Sequence, residues 1–415
     1  MQLKTLLNCV HPIKGFVYES VRWDTPGVGL QAAVRSRKNS RGVCSACGRS
    51  GPTYDHGRPR RFGFVPLWGM AIVLVYALRR VDCPACGVKV ERVPWATGKA
   101  HQTTALQVFL SRWARRLSWK QTAEVFGVTW SAVFRAVQAM VAYGLAQRSL
   151  DNVTAIGVDE VAWRKGHRYL TLVYQINAGC HRLLYVGEGR TVRSLLGFFR
   201  RFGRERTAQI RYVCSDMWRP YLKVLAKKLP SALRMLDRYH IVANLNKALD
   251  KVRAAEAKRL QAEGYEPVLK RTRWCFVKRP KNLTARQRLR LGDVLRYDLK
   301  TVRAYLKVQA FDALWTYRSA AWAGRFLDGW IRHVMRSRIE PLKQVARSLR
   351  THRELILNWF RAKKQFNNGI VEGLNANAKL AFRKAYGYRT FQAAEVSLYH
   401  QLGHLPEPKL THSFC

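Results

Sequence analysis

Three sets of residues in this 415-residue chain could do chemistry. The first is cysteine: "CSACG" supplies Cys44 and Cys47, and "CPACG" supplies Cys83 and Cys86. Two Cys-x-x-Cys knuckles can set four thiolates tetrahedrally around Zn²⁺, and the glycine after each lets backbone amides turn toward the sulfurs. Such a closed site is structural, and Asp55 or His56 would enter it only if a cysteine failed. The second set is a pair of aspartates, Asp159 in "IGVDEVAW" and Asp216 in "YVCSDMWRPY", each at the end of an apolar strand-like run. Two aligned strand-end carboxylates can share hard divalent cations and leave positions open for phosphate. The third is Glu372, the one acid among four cations in "NNGIVEGLNANAKLAFRKAYGYR". At helical spacing Val371, Leu374, Ala378 and Ala381 form one face, and Glu372, Asn375, Lys379 and Arg383 a polar stripe. Glu372 then either points at the aspartates or is the third residue of a helix capped by Gly369, held by the helix dipole and a capping-box bond.

Acids stand out because they are scarce. Lys and Arg number 74 against 26 Asp and Glu, a formal charge of +48, with a pI near 10.8. That excess favours a polyanionic partner, since each neutralised phosphate releases condensed counterions. The cations are interleaved with apolar residues, 48% of the chain, so a folded multi-domain nucleic-acid protein is expected rather than a basic tail. The longest apolar run, "MAIVLVYAL", is too short to span a bilayer and reads as a buried strand. Without an export signal, an odd cysteine count argues against a disulfide framework, and a cytoplasmic protein is expected.

The elements that position these residues can be read in order. Between the knuckles, "RPRRFGFVPLWGMAIVLVYALRRVDC" reads as strands separated by "PLWG", a zinc ribbon within residues 1–98. Residues 99–150 carry a helix-turn-helix pattern: Ser118 caps a first helix, Gly127 supplies a left-handed turn, and Thr129 caps a second. Val133 and Val137 face inward, leaving Ser131, Arg135 and Gln138 toward a DNA groove. After a linker at 145–153, three strands ("TAIGVDE", "RYLTLVYQI", "RLLYVGE") precede a helix ("VRSLLGFFRRF"), a strand ("IRYVCSD"), a helix ("PYLKVLAKKL") and a strand ("ALRMLD"). That alternation describes an α/β sheet over 151–239. Asp237, after the last strand, and His240 are neighbours of the aspartate pair; Asp237 is a candidate further ligand, but an ion pair to Arg238 or another cation is the expectation. Strand alternation turns Glu160 away from Asp159. Trp163 and Trp218 could stack on splayed bases at a cut DNA end, but packing beneath the sheet is the expectation. Residues 240–366 read as basic and helical, with breaks near "EGYEP", "KRPKNLT" and "IEPL", and with Trp315, Trp322, Trp330 and Trp359 as core aromatics. No internal repeat or low-complexity tract is visible.

The stretches "GVDEVAWRKGHRYLTLVYQ", "VCSDMWRPYLKVLAKKLP", "LDRYHIVANLNKALD" and "VEGLNANAKLAFRKAYGYR", in this order, resemble the ISL3 family of bacterial insertion-sequence transposases. The knuckles and the helix pair resemble that family's N-terminal modules, so the likeness covers nearly the whole chain. It implies an RNase H-like DDE catalytic domain with a helical insertion, completed by the final helices at 367–415. It makes Asp159, Asp216 and Glu372 the catalytic acids, ligands of Mg²⁺ (or Mn²⁺), with a second gap far longer than the first. It implies double-stranded DNA as partner, at transposon ends and target, contacted also by Lys379 and Arg383. It further implies a nucleoid-associated protein with no membrane partner, and a homodimer or higher oligomer when two ends are paired. Two positions depart from the family pattern: Gln175 stands where relatives carry an acid, and "NAN" at 375–377 replaces Asn-Asn-Lys. A DNA-binding regulator with an inactive catalytic domain would share the zinc and helix-pair signals without needing all three acids. A stand-alone metal nuclease would cut without joining.

Overall fold

The computed structural model describes residues 2–25, 28–164, 166–366 and 369–409. The chain divides into two compact units, one from its start to Ser149 together with residues from Asn377 onward, the other Leu150–Ala376. The sequence places all of 367–415 with the sheet domain; the boundary between the compact units falls within that stretch, after Ala376.

In the first unit, α1 (Leu3–Val10) precedes β1 (Phe16–Thr25) and β2 (Gly29–Ser36). The short β3 (Gly42–Val43) and β4 (Ser50–Gly51) carry the first knuckle into a long hairpin, β5 (Thr53–Leu67) and β6 (Met70–Cys83), followed by β7 (Gly87–Val90). The hairpin turns at Trp68 and Gly69, both at positive φ. Its strands are longer than a small ribbon needs because β1 and β2 join them in a sheet ordered β1-β2-β6-β5, with β7 on β6. Inward residues of β5 and β6 (Phe62, Phe64, Ile72, Leu74, Tyr76) pack with Phe16 and Trp95. Trp95 takes edge contacts from Phe16, Phe62 and Tyr76 at centroid distances of 4.8–5.9 Å.

Three helices follow: α2 (Thr104–Arg116), α3 (Trp119–Val125) and α4 (Trp130–Gln147). Ser118 caps α3 with a full capping box to Gln121, and Thr129 caps α4 through the Ala132 amide. Gly127, at φ +60°, makes the turn, and α3 and α4 meet at 116°. Val133 and Val137 are fully buried, as their spacing predicts. α4 runs on to Gln147, so the linker starts later than the sequence suggested. No single helix among the described residues is long and apolar enough to cross a membrane.

The second unit opens with β8 (Ala155–Arg164), β9 (Arg168–Asn177) and β10 (Cys180–Glu188), an antiparallel meander. The helices α5 (Val192–Phe202) and α6 (Arg204–Ala208) lead to β11 (Tyr212–Ser215), and α7 (Arg219–Lys228) leads to β12 (Leu233–Leu236). Both late strands are parallel to β8, giving the order β10-β9-β8-β11-β12. The crossovers bury their apolar stripe (Leu195, Phe198, Phe199, Phe202, Tyr221, Leu225) against Val158, Val173 and Val213 of the sheet.

A helical segment follows: α8 (Arg238–Ala262), α9 (Arg273–Val277), α10 (Ala285–Leu295), α11 (Lys300–Phe311), α12 (Ala320–Met335), α13 (Glu340–Thr351) and α14 (Arg353–Arg361). It has its own core, in which Trp315 and Trp330 are buried and Trp359 partly so. Trp322 is a correction: 58% of its surface is exposed, with Arg325 over its ring. The last helices are α15 (Gly369–Lys384) and α16 (Phe391–Leu402).

Candidate active site and zinc site

The four knuckle cysteines meet at the open end of the long hairpin. Each offers a sulfur, and all four sulfurs lie within 4.8 Å of one another. The Cys47 and Cys83 sulfurs are 3.5 Å apart. Chain amides do approach them: the Cys47 amide, with that of Ala46 adding to it, brings the Cys44 thiol down to about 7. The Cys86 thiol is pushed up to about 12, first by the Cys47 sulfur beside it. Gathering four sulfurs therefore concentrates negative charge that a dication offsets, which is the donor set of a closed structural zinc site. Asp55 takes no part, being ion-paired with Arg80; among the described residues the cluster is cysteine alone.

The acids are brought together by strand register. In the parallel ladders Val158 lies beside Ser215, and Ser215 beside Leu236. One residue further, Asp159, Asp216 and Asp237 fall in a single row across three adjacent strands, and the Asp237 amide still donates to the Ser215 carbonyl at 2.8 Å. Carboxyl ends of parallel strands are where such sheets collect ligands. Asp216 does end its strand, whereas β8 continues five residues past Asp159, whose position in the row comes from the shorter β11 beside it. Burial holds these carboxyls: Asp159, Asp216 and Asp237 are 9%, 8% and 5% exposed.

Each carboxylate has distinct partners. Asp159 accepts from the Glu160 amide (2.8 Å) and from Asn375 Nδ2 (2.5 Å), while Asn375 Oδ1 accepts from Tyr174 (2.7 Å). Asp216 accepts from the Trp218 amide and from Arg190 Nη2, both at 3.0 Å. Arg190 also pairs with Glu160 at 2.7 Å and lies 4.6 Å from the Trp218 ring centroid. Asp237 caps α8 through the Tyr239 amide (2.7 Å) instead of pairing with Arg238. Its cation is His240, whose Nε2 is 3.8 Å from both Asp237 Oδ2 and Asp159 Oδ1.

Titration reflects this crowding. Burial, then the Asp216 charge, pushes Glu160 up to about 7, against Arg190. Asp216 is raised chiefly by burial. Asp237 rises to about 6, first by burial, with Asp159 and Glu372 adding to it. His240 is held at about 9 by Asp159 and the other acids.

Glu372 lies in the first turn of α15, exposed, with no hydrogen bond or ion pair to another described residue. Gly369 is the first helical residue, and the position before it lies outside the described residues. The helix is seated on the sheet by Val371, which packs over Gly157, and by Asn375, which reaches Asp159. Val371, Leu374, Ala378 and Ala381 are all buried, as their spacing predicts. Lys379 and Arg383 are exposed further along α15; on α4, Ser131 and Arg135 are exposed and Gln138 is half-buried. Trp163 is buried and Trp218 packs against the crossover core, as expected. Gln175, where the family pattern has an acid, is buried and accepts from Arg182 at 2.8 Å.

Sequence reasoning missed two residues. Asn375 was on the polar stripe, and its i+3 spacing from Glu372 could have marked it. Arg190 had no local signal, because it joins the site through a loop between β10 and α5.

Comparison with known proteins places the chain in a family. The ISL3 family model described as "Transposase" matches residues 156–397, and that for the "zinc-finger of transposase IS204/IS1001/IS1096/IS1165" matches residues 40–86. The transposase for insertion sequence element IS1001 of Bordetella parapertussis is 27% identical, over 93% of this chain and 95% of its own length. The transposase for insertion sequence element IS1557 of Mycobacterium tuberculosis is 29% identical, over 95% and 94%. With the acids and α15 inside one matched stretch and the four cysteines inside another, the chain belongs to the ISL3 family of insertion-sequence transposases.

Proposed function

We propose that this transposase binds the terminal inverted repeats of its insertion sequence and cleaves and joins DNA at an RNase H-like DDE site formed by Asp159, Asp216 and Glu372. One observation carries the reading: buried aspartates aligned on adjacent strands, with Asn375 of the helix that carries Glu372 hydrogen-bonded to Asp159. These oxygen donors suit Mg²⁺ or Mn²⁺. Two such ions, when bound, would make a water or a 3′-hydroxyl nucleophilic and offset charge on the attacked phosphodiester. The carboxylates hold and orient, and Asn375 and Trp218 fix the aspartate oxygens by hydrogen bonds. The surrounding cations draw in the DNA that bare acids would repel.

End recognition falls to α3 and α4 as a helix-turn-helix, with Ser131, Arg135 and Gln138 toward the groove. Lys379 and Arg383 contact backbone phosphates. Pairing two ends requires at least a dimer.

Glu372→Gln tests the reading. A helix-start role survives this change at a cost of about 0.3–1 kcal/mol, because Gln lacks only the charge. The variant should melt near wild type and still bind end DNA, yet neither cleave nor join it in Mg²⁺. Retained strand transfer by Glu372→Gln would remove Glu372 from the site.

A further inference from the structure

We propose that Asp237 and His240 are ligands too, forming with Asp159 one metal position of mixed oxygen and nitrogen donors that prefers Mn²⁺ to Mg²⁺. This rests on the metal-dependent reading above and deepens it. Asp159, Asp237 and His240 each offer a donor atom, and the three atoms lie within 4.8 Å of one another. His240 Nε2 stands 3.8 Å from an oxygen of each aspartate, too long for a hydrogen bond. Two donors each about 2.0–2.2 Å from a shared ion lie roughly 3–4.4 Å apart, which is the spacing seen here. Asp237 spends only Oδ1 on the cap of α8, and Oδ2 is the atom turned to His240. The side chain is 7% exposed, so little water replaces a ligand there. His240 is in the first turn of that same helix, and the cap therefore sets both donors at once. An imidazole nitrogen is a poor partner for Mg²⁺, which takes oxygen, and a good one for a transition ion.

Asp237 has a competing, purely structural role as a cap, and Asp237→Asn separates the two. Asn caps as well as Asp but lacks the ligand charge. Mn²⁺ binding to the full-length protein, with and without duplex DNA, is measured by electron paramagnetic resonance of free Mn²⁺ alongside metal-free melting. Asp237→Asn and His240→Gln should each melt near wild type and lose at least about tenfold in Mn²⁺ affinity. His240→Gln should change Mg²⁺ affinity, followed by competition with Mn²⁺, much less. Asp159→Asn is the control. If it loses Mn²⁺ while Asp237→Asn binds like wild type, this inference is overturned and the catalytic reading stands. If wild type binds no Mn²⁺, or Asp159→Asn binds as tightly as wild type, both fall.

Discussion

Gly157 lies beneath the helix that carries Glu372, and it gives the site its most direct mechanical test. A methyl group there would sit 2.5 Å from Val371 Cγ2 and 3.4 Å from Ile176 Cγ2, with the first contact far inside van der Waals range. Gly157→Ala must therefore lift α15 or displace Val371. Overpacking of this kind costs about 1–3 kcal/mol. In a unit of this size each kcal/mol lowers the melting temperature by roughly 2–4 °C, so a loss near 2 kcal/mol reads as about 4–8 °C. Lifting α15 also pulls Asn375 from Asp159, and strand transfer should fall with stability. Val371→Ala alone removes two methyl equivalents, about 1.6 kcal/mol. In the double variant the new methyl occupies the vacated space, so the two losses should fail to add by at least about 1 kcal/mol, and activity should return. Calorimetry and an end-joining assay on the four proteins measure both effects. Strictly additive losses, or a Gly157→Ala protein that melts and joins like wild type, would show that α15 does not rest on this glycine.

Two further outcomes are expected from the first unit. Cys47→Ser or Cys86→Ser should lose bound zinc, about one equivalent in the wild type by elemental analysis, because a closed site needs all four ligands; reduced wild-type protein without zinc would contradict this. His400 is buried, bonded to Ser111 at 2.8 Å, and driven down to about 3, first by burial and then by Arg115 and Lys384. Its folded pKa lies below the unfolded 6.5, so between those values the unfolded chain takes the extra proton and stability falls with pH. From pH 8 to 5 the wild type should lose about 2 kcal/mol more than His400→Gln in denaturant melts; parallel losses would refute it.

The sheet was legible because its segments are short and apolar with clear boundaries: the helix expected at 192–202 is α5 to the residue. β1 and β2 were not, since "FVYESVRWDT" and "GLQAAVRS" alternate weakly; they pair with each other, but the pair joins the sheet only through the contact of β2 with a distant β6. Scarcity of acids pointed to Asp159 and Asp216, which the structure sets in one buried row, but scarcity does not by itself mark chemistry. Glu91 is nearly inaccessible in a buried pair with Arg79, and Glu256 caps α11 through the Lys300 and Thr301 amides. What separates Asp159, Asp216 and Asp237 is register, a long-range property that no local pattern encodes. Trp322 was misread because an aromatic at helical spacing does not reveal which stripe faces in. Asn375 shows the reverse case, a polar residue drawn inward by a site.

The zinc end of the long hairpin also has a redox consequence. The sheet below it is held by its own aromatic cluster around Trp95, so removing the metal would loosen the tip without dissolving the module. The released thiols would include two whose sulfurs are 3.5 Å apart, Cys47 and Cys83, one from each knuckle. An oxidant joining that pair would close the tip without metal and withdraw two of the four ligands from any returning zinc. A zinc ion bound there would act as a chemical cover for its own ligands, and an air-oxidised preparation would stay metal-free until a thiol reductant reopened the bridge.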